Sequence, residues 1–388
     1  MSTNLRSTSV GTPVSKPGNV QTLIARRIRQ DIVSMHGYAI QDSRGMVKLD
    51  AMENPHRLSP ALQAELGRRL GAVALNRYPA GQPDALRQAI ASYAEMPPGF
   101  DIMLGNGSDE LISLVSMAID LPASQNPGGK APVILAPEPG FVMYGMSAQF
   151  QGLAYVGVPL TADFELDEAA MLAAIRQHQP ALVYLAYPNN PTSNLWNDQT
   201  LTNIIQLQGE QGGLVVMDEA YQPFSSKTWL TPMRQNPAAH QHVLLMRTLS
   251  KFGLAGVRIG YLLGAAALVN EINKLRPPYN ISTLNAECAL FALEHADVYR
   301  AQAEDIKTQR GVLARAVQAM GCKVWPSDSN ILLVRVLDAT KTFEAMKLQG
   351  ILIKNVSKMH PLLHNCLRLT VGTATENTQM LDALQKSL

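Results

Sequence analysis

Short apolar segments alternate with segments of helical periodicity through the middle of the chain. Continuous apolar runs of strand length stand at residues 102–104, 133–136, 181–186, 214–217 and 243–246. Between them, apolar residues recur at the spacing of a helix. Strands without polar alternation are buried on both faces, and the intervening helices provide the cover. The pattern predicts an α/β fold with a mostly parallel sheet, whose functional side chains gather at the carboxyl ends of the strands.

The pattern changes in the C-terminal third of the chain. A long helical region is predicted at residues 284–320, and strands follow at 330–336, 351–353 and 366–371. A chain of 388 residues also has the length of two domains. We predict four segments: an N-terminal extension and arm (1–35), the N-terminal part of a small α+β domain (36–74), a large domain (75–277) and the C-terminal part of the small domain (278–388).

Composition argues against several classes of function. Lys plus Arg number 33 against 31 for Asp plus Glu, so the charge balance gives no basis for a nucleic-acid or membrane surface. No apolar run reaches the roughly 18 residues that a membrane-spanning helix needs. The three cysteines (Cys288, Cys322 and Cys366) are odd in number and widely spaced, so we expect neither disulfides nor a metal site. This cysteine usage favours a reducing, cytoplasmic location.

The segment from residue 248 to 258 places Lys251 in a loop of small residues after an apolar strand. A lysine at the end of a buried strand is costly unless its amine is used. A desolvated lysine loses its proton readily and becomes a nucleophile that can form a Schiff base. Taken alone, the segment fits a solvated surface turn equally well.

Further polar or aromatic residues fall at predicted strand ends. The sequence GNGSDE at 105–110 follows a strand and opens a helix, which suits a phosphate. Asp218 ends an apolar strand and needs a positive partner, which a protonated pyridine nitrogen would supply. The other candidates are Asn190 in a rigid turn, the phenol of Tyr221, the ring of Phe141 and the guanidinium of Arg258. Each also has an ordinary structural interpretation as a turn, a helix cap, a core aromatic or a surface ion pair.

In this order, the segments resemble those of the fold-type I pyridoxal-phosphate aminotransferases, and most of all the histidinol-phosphate aminotransferase family. The resemblance extends from about Tyr38 to Leu388. The sequences that carry it are LDAMENP at 49–55, NRYP at 76–79, GNGSDE at 105–110, YPNNPT at 187–192, DEAY at 218–221, TLSK at 248–251, AGVR at 255–258 and CLRLTVGT at 366–373.

The resemblance implies the cofactor pyridoxal 5'-phosphate and a role for each residue around its ring. Lys251 would hold the cofactor aldehyde as a Schiff base and move a proton during the reaction. Asp218 would pair with the pyridine nitrogen. Asn190 and Tyr221 would hydrogen-bond the ring oxygen, with Asn190 also close to substrate, and Phe141 would stack on the ring.

The resemblance also implies how the charged groups of cofactor and substrate are held. Backbone N–H groups of Ser108 and Asp109, with Ser250 and Arg258, would bind the cofactor phosphate. Tyr78 would reach that phosphate from a neighbouring subunit, which implies a homodimer with shared active sites. The substrate-binding residues would be Arg368, which takes an anionic group, Lys354, and Tyr38, which closes over the substrate.

This chain departs from the family pattern at three places. Met52 stands where the family usually has asparagine, and Lys354 where many members have arginine. Phe252 follows Lys251 directly, so the interval from Lys251 to Arg258 is one residue shorter than in many relatives. We therefore expect altered loop geometry near the predicted phosphate site.

The reaction that the resemblance implies is transamination of L-histidinol phosphate with 2-oxoglutarate, giving imidazole-acetol phosphate and glutamate in histidine biosynthesis. An aminotransferase for aromatic or other amino acids is an alternative, because no residue of the pattern reads the donor side chain. A lyase similar to the threonine-phosphate decarboxylases is another. A non-catalytic regulator is disfavoured, since the first 35 residues contain no helix-turn-helix pattern.

Overall fold

The computed structural model describes residues 19–35, 41–79, 84–119 and 129–388. The chain forms two compact units, residues 1–42 and residues 43–388. No helix within the described ranges is both long and apolar enough to cross a membrane. The boundaries predicted at residues 74 and 277 lie inside the larger unit and stay a prediction.

The described part of the N-terminal unit contains two short helices, α1 (Val20–Arg27) and α2 (Gln30–Val33). The backbone is extended at Ile28 and Arg29, which ends α1 and separates it from α2. Neither helix buries a residue, so within this unit their apolar side chains remain accessible.

A seven-stranded sheet forms the centre of the larger unit. Its strands are β2 (Phe100–Gly105), β3 (Val133–Glu138), β4 (Ala154–Pro159), β5 (Leu182–Ala186), β6 (Leu214–Asp218), β7 (Val243–Thr248) and β8 (Gly260–Ala265). The order across the sheet is β2-β8-β7-β6-β5-β3-β4. β8 runs antiparallel to both neighbours, and the other pairs are parallel. The predicted mostly parallel sheet is confirmed.

Successive residues of these strands face two different cores. Val215 and Met217 of β6 belong to one apolar cluster, and Val216 between them belongs to another. Alternation along a strand sends neighbouring side chains to opposite faces, so the sheet is covered on both sides. The covering helices include α4 (Asp84–Tyr93), α5 (Gly107–Ile119), α6 (Met143–Gln151), α7 (Glu168–His178), α8 (Asp198–Glu210), α9 (Leu230–Gln235), α10 (Ala266–Asn273) and α11 (Thr283–Glu294).

The last part of the chain adds an antiparallel sheet and a third core. The sheet has the order β12-β13-β10-β9 and consists of β9 (Lys323–Val324), β10 (Ile331–Arg335), β12 (Lys354–Asn355) and β13 (Cys366–Thr370). Helices α12 (Ala296–Ala319), α13 (Ala339–Leu348) and α14 (Ala374–Ser387) accompany it. The long helix predicted at 284–320 is two helices, because His295 leaves the helical conformation between α11 and α12.

The N-terminal stretch of the larger unit returns to this C-terminal part. β1 (Val47–Lys48) pairs in parallel with β11 (Ile351–Leu352), and Leu49 lies in the core that the antiparallel sheet shares. Helix α3 (Pro60–Gly71) follows, and Arg69 at its end forms an ion pair with Glu287 of α11. The strand β1 thereby leads residues 50–54 past the carboxyl ends of the central strands.

Candidate active site

A cavity of about 340 Å³ opens at the carboxyl ends of β5, β6 and β7. Its walls come from residues 51–53, 108–109, 186–190, 218–221 and 248–258, with Phe141 before α6 and Tyr144 in the first turn of that helix. Parallel strands that end at one edge bring distant segments together, which is where ligands bind in sheets of this kind. The cavity is therefore the candidate active site.

Lys251 lies in a short π-helical turn (Ser250–Leu254) directly after β7. Its Nζ donates a hydrogen bond to the carbonyl oxygen of Ala51 at 3.2 Å and lies 5.9 Å from the ring centre of Tyr221. Burial, followed by the charge of Arg368, lowers the pKa of the Lys251 amine to about 8. About a tenth of this amine is then uncharged at pH 7, far more than for an exposed lysine, and the uncharged amine is the nucleophile.

Asp218 is the last residue of β6, and only 4% of its surface is exposed. Its Oδ2 accepts a hydrogen bond from the Tyr144 hydroxyl at 2.7 Å, and its Oδ1 accepts one from the backbone N–H of Ala220 at 3.0 Å. Burial raises the pKa of the carboxyl to about 6, against the effect of these two donors. A buried carboxylate of this kind is completed by a cation, so Asp218 fits a partner with a protonated ring nitrogen.

The N-terminus of α5 forms a cradle on the opposite side of the cavity. Gly107 has a positive φ of 75°, and a Cβ there would lie 2.5 Å from Nη2 of Arg258. The N–H groups of Ser108 and Asp109 belong to the first turn, where a helix leaves its donors available. Arg258 reaches this turn, with Nη1 3.4 Å from the Ser250 hydroxyl and Nη2 3.2 Å from the Asp109 carboxylate. Together these donors suit a phosphate.

The shortened interval between Lys251 and Arg258 is closed by two residues with positive φ, Gly253 at 139° and Arg258 itself at 56°. These conformations turn the loop so that Arg258 still comes within reach of Ser250. The altered geometry that we expected here is thus a tight turn rather than a displaced arginine.

Asn190, Tyr221 and Phe141 all line the same cavity. The Asn190 Oδ1 accepts from Nη1 of Arg368 at 2.9 Å, and the Tyr221 hydroxyl donates to the sulfur of Met52 at 3.0 Å. The Phe141 ring meets that of Tyr144 edge to face, with centres 5.7 Å apart. Phe141 therefore presents an aromatic surface to the cavity, on which a planar ring can stack.

Arg368 and Lys354 occupy neighbouring strands of the small antiparallel sheet. They are directly opposite in the register of β12 and β13, so their side chains start from the same face. Arg368 is buried, and its Nη2 also donates to the carbonyl oxygen of Asp50 at 2.8 Å. Two cations on neighbouring strands both attract an anion that binds near them. The pair therefore suits an anionic substrate group.

Comparison with known proteins identifies the family. Residues 44–384 match the family model of aminotransferase class I and II. The histidinol-phosphate aminotransferase of Polaromonas naphthalenivorans (strain CJ2) is 65% identical, over 94% of this chain and 97% of its own. That of Methylibium petroleiphilum is 61% identical, over 93% of this chain and 95% of its own. The chain belongs to the histidinol-phosphate aminotransferase family.

Solved structures of aminotransferases share the fold. The histidinol-phosphate aminotransferase of Sinorhizobium meliloti, solved in complex with pyridoxal-5'-phosphate, has a TM-score of 0.79 at 23% identity and covers 93% of this chain and 97% of its own. That of Clostridium acetobutylicum has a TM-score of 0.76 at 20% identity and covers 87% of this chain and 98% of its own. The fold of this aminotransferase is therefore that of fold-type I enzymes.

Four predicted residues of this aminotransferase are not among those lining the cavity. Arg368 contacts the lining through its hydrogen bond to Asn190. Tyr78 is 81% exposed and stacks on Tyr279, with ring centres 4.9 Å apart. Lys354 is half-buried in β12, directly opposite Arg368 in the register. Tyr38 falls outside the described residues. The roles assigned to these residues stay predictions.

The motif analysis did not identify Tyr144, although it lines the cavity and contacts Asp218. A weak signal was present, because Tyr144 follows Phe141 by three residues and side chains three apart share a helix face. Glu53 and Thr248 were also missed as lining residues. Thr248 supports the phosphate side of the site, since its hydroxyl lies 3.0 Å from that of Ser250.

Proposed function

We propose that this aminotransferase transfers the amino group of L-histidinol phosphate to 2-oxoglutarate, giving imidazole-acetol phosphate and glutamate in histidine biosynthesis. The observation that carries the proposal is one cavity that joins a lysine of lowered pKa, a buried carboxylate and the amide partner of Arg368. The names and high identity of its relatives support the same substrate.

The donor set around the cavity fits pyridoxal 5'-phosphate. Because Gly107 has no side chain, the Arg258 guanidinium can lie against the first turn of α5, where Ser108, Asp109, Ser250 and Arg258 would hold the phosphate. The negative charge of Asp109 is balanced there by Arg258. When bound, the cofactor supplies an electron sink for the negative charge that develops on the substrate carbon.

The chain's own residues would provide binding, orientation and proton transfer. Asp218 would keep a proton on the ring nitrogen, Phe141 would cover the ring, and Asn190 and Tyr221 would orient the ring oxygen. Lys251 would hold the cofactor by its aldehyde, and the uncharged Nζ would take a proton from the substrate carbon. The pKa of about 8 suits both tasks.

Arg368 and Lys354 would hold the phosphate of the amino donor and a carboxylate of the oxo acid in turn. The arginine offers a planar fork, whereas the lysine adds a point charge that is less directional. Tyr38 would cover the bound substrate. This arrangement favours a small anionic donor over an uncharged one.

We further propose a cytoplasmic homodimer in which Tyr78 reaches the phosphate site of the partner. The large exposed surface of Tyr78 supports this, as do the neighbouring exposed side chains of Leu75 and Tyr279. A group of exposed apolar residues is typical of a protein contact. All three cysteines are unpaired, which supports a reducing compartment.

A substrate panel on the purified protein tests the proposed reaction. With 2-oxoglutarate as acceptor, L-histidinol phosphate is expected to give glutamate with a kcat/KM at least about 100-fold above that of L-phenylalanine, because its doubly charged phosphate would pair with both Arg368 and Lys354, whereas the carboxylate of phenylalanine carries one charge. Loss of Lys354 (Lys354→Met) is expected to raise the KM for histidinol phosphate about tenfold and to change that for phenylalanine little.

Other outcomes of the panel would reassign the substrate. Faster turnover of phenylalanine would favour an aromatic aminotransferase. Release of CO₂ from threonine phosphate without an oxo acid would favour a lyase. If Lys354→Met lowered the turnover of histidinol phosphate and of phenylalanine equally, Lys354 would have no specific role in binding the phosphate.

A further inference from the structure

Tyr144 connects the first turn of α6 to the end of β6. Its hydroxyl donates to Oδ2 of Asp218 over 2.7 Å, although the two residues are 74 positions apart in the chain. Both side chains are buried, so water does not compete for this hydrogen bond. The second oxygen of Asp218 accepts from the backbone N–H of Ala220. Each carboxylate oxygen thus has one donor on the protein side.

The ring of Tyr144 is held on two sides. It stacks on Tyr184, with ring centres 4.2 Å apart and planes inclined by 5°, and it meets Phe141 edge to face. Burial and the nearby Asp218 carboxylate raise the pKa of the Tyr144 phenol well above its ordinary value, so the phenol keeps its proton. The hydroxyl is therefore a fixed donor, and the carboxylate is the acceptor.

The surroundings of Asp218 have opposing effects on the pKa of its carboxyl. Burial raises that pKa most, and the carboxylates of Asp109 and Glu219 raise it further. The hydrogen bonds from Tyr144 and from the Ala220 N–H lower it. Tyr184 and Tyr221 also face this region as uncharged phenols. Hydrogen bonds to the charged form of a carboxyl favour that form. The hydroxyl of Tyr144 is the side-chain donor in this balance.

We propose that Tyr144 is a positioning residue, which keeps the Asp218 carboxylate ionised and aimed into the cavity. The inference rests on the proposed function, since it gives Asp218 the cofactor's ring nitrogen as a partner. Without the phenol, the proton shared by ring nitrogen and carboxylate would move toward Asp218. The ring would then withdraw electrons less strongly, so Tyr144 contributes to the reaction without touching the reacting atoms.

Two matched variants test the inference in the protein without cofactor. Tyr144→Phe removes the hydroxyl from Asp218. Tyr184→Phe removes an equally buried hydroxyl, which contacts the Ile112 carbonyl oxygen at 3.4 Å and not Asp218. Infrared spectra of protein labelled with ¹³C in its aspartate carboxyl groups report protonation of Asp218, whose band is identified by its loss in Asp218→Asn.

The midpoint for protonation of Asp218 is expected near pH 6 in the unaltered protein. Tyr144→Phe is expected to raise it by about one unit or more, the size of a hydrogen bond to a charged group. Tyr184→Phe is expected to leave it unchanged. Equal shifts in both variants, or no shift in Tyr144→Phe, would overturn the inference.

A second measurement applies if Tyr144→Phe fails to fold. The protein is prepared with 3-fluorotyrosine, whose phenol is a stronger donor. The midpoint of Asp218 is then expected to fall, and to fall equally when Tyr184→Phe is present. An unchanged midpoint would count against Tyr144.

Activity of the loaded enzyme separates this inference from the choice of substrate. With whichever amino donor is turned over, Tyr144→Phe is expected to lower kcat about tenfold or more, with KM nearly unchanged, and to move the acid limb of the pH profile upward. If Tyr144→Phe shifts the protonation midpoint of Asp218 but the enzyme does not turn over histidinol phosphate, the positioning role of Tyr144 is supported and the proposed substrate is rejected.

Discussion

Arg368 affects Lys251 in addition to its own contact with Asn190. Its positive charge is the second cause, after burial, of the lowered pKa of the Lys251 amine. An anion bound to Arg368 would screen that charge and return some basicity to the lysine. The protonation of Lys251 is therefore coupled to occupation of the anion site, which is useful to a group that must first be a nucleophile and later carry a proton.

The coupling predicts a pH effect of Arg368→Met on cofactor capture. The uncharged amine attacks the cofactor aldehyde, so the capture rate rises as pH increases through the Lys251 pKa of about 8. Without the arginine charge that pKa rises, and the rate at pH 7 is expected to fall by a factor of roughly three while the rate above pH 10 changes little. Borohydride trapping of the lysine-bound cofactor measures the rate.

Lys354→Met is the matched control for this experiment. Lys354 lies opposite Arg368 but is not among the charges that shift the Lys251 pKa. Its removal should leave the capture profile in place. If the pH profile of the capture rate moved to lower pH in Arg368→Met, or moved equally in both variants, the coupling between Arg368 and Lys251 would be contradicted.

The carboxyl ends of β6 and β7 are joined behind the cavity by a buried ion pair. Glu219, which follows β6, accepts from Nη2 and Nε of Arg247 in β7 at 2.8 and 3.0 Å. Its carboxylate also accepts from the Thr228 hydroxyl and the Trp229 backbone N–H. This network fixes the spacing of the two strand ends that carry Asp218 and Lys251.

Loss of one partner leaves the other charge buried, so Glu219→Ala is expected to lower the free energy of unfolding by about 3–5 kcal/mol. Urea denaturation of the cofactor-free protein measures the change. Glu271→Ala breaks the exposed ion pair with Lys274 and serves as the control, with an expected cost of about 0–1 kcal/mol. Similar losses in the two variants would show that the buried network adds no special stability.

All residues that line the cavity belong to the unit 43–388. The same unit also has an exposed apolar surface outside the cavity. Leu75, Tyr78, Tyr279 and Leu284 contribute to that surface. A group of exposed apolar side chains is typical of a surface that another protein covers. In the proposed homodimer this face would place Tyr78 beside the phosphate cradle of the second copy.

Mixed dimers test the shared site. Lys251→Ala and Tyr78→Ala are each expected to be poorly active at limiting cofactor. A mixed dimer of the two variants has one site with an intact lysine and an intact partner tyrosine, so the isolated mixed dimer is expected to show about half of the activity of the unaltered dimer. Activity no higher than that of the separate variants would exclude a shared site.

The positions of the main site residues were predictable because they follow apolar strands. Lys251, Asp218 and Asn190 lie at the ends of β7, β6 and β5, and parallel strands bring such ends together. Tyr144 was not predictable in the same way, since its contact with Asp218 depends on how α6 packs over the sheet. The edge strand β4 was missed because Gly157 and Pro159 interrupt its strand pattern.

The register between β12 and β13 also lay beyond the sequence patterns. These strands share an antiparallel sheet in which a displacement by one residue would place Lys354 and Arg368 on opposite faces. Local propensity does not set that register. It depends on packing against the core that contains Leu367 and Leu369.

The hydrogen bond from Arg368 to the Asp50 carbonyl has a consequence for biosynthesis. It joins residues 318 positions apart, so a growing polypeptide cannot make it until Arg368 has left the ribosome. The central strands emerge from the ribosome earlier and can assemble before Arg368 appears. The anion site is therefore completed later than the cofactor cradle, because Arg368 is synthesised after every residue that lines the cavity.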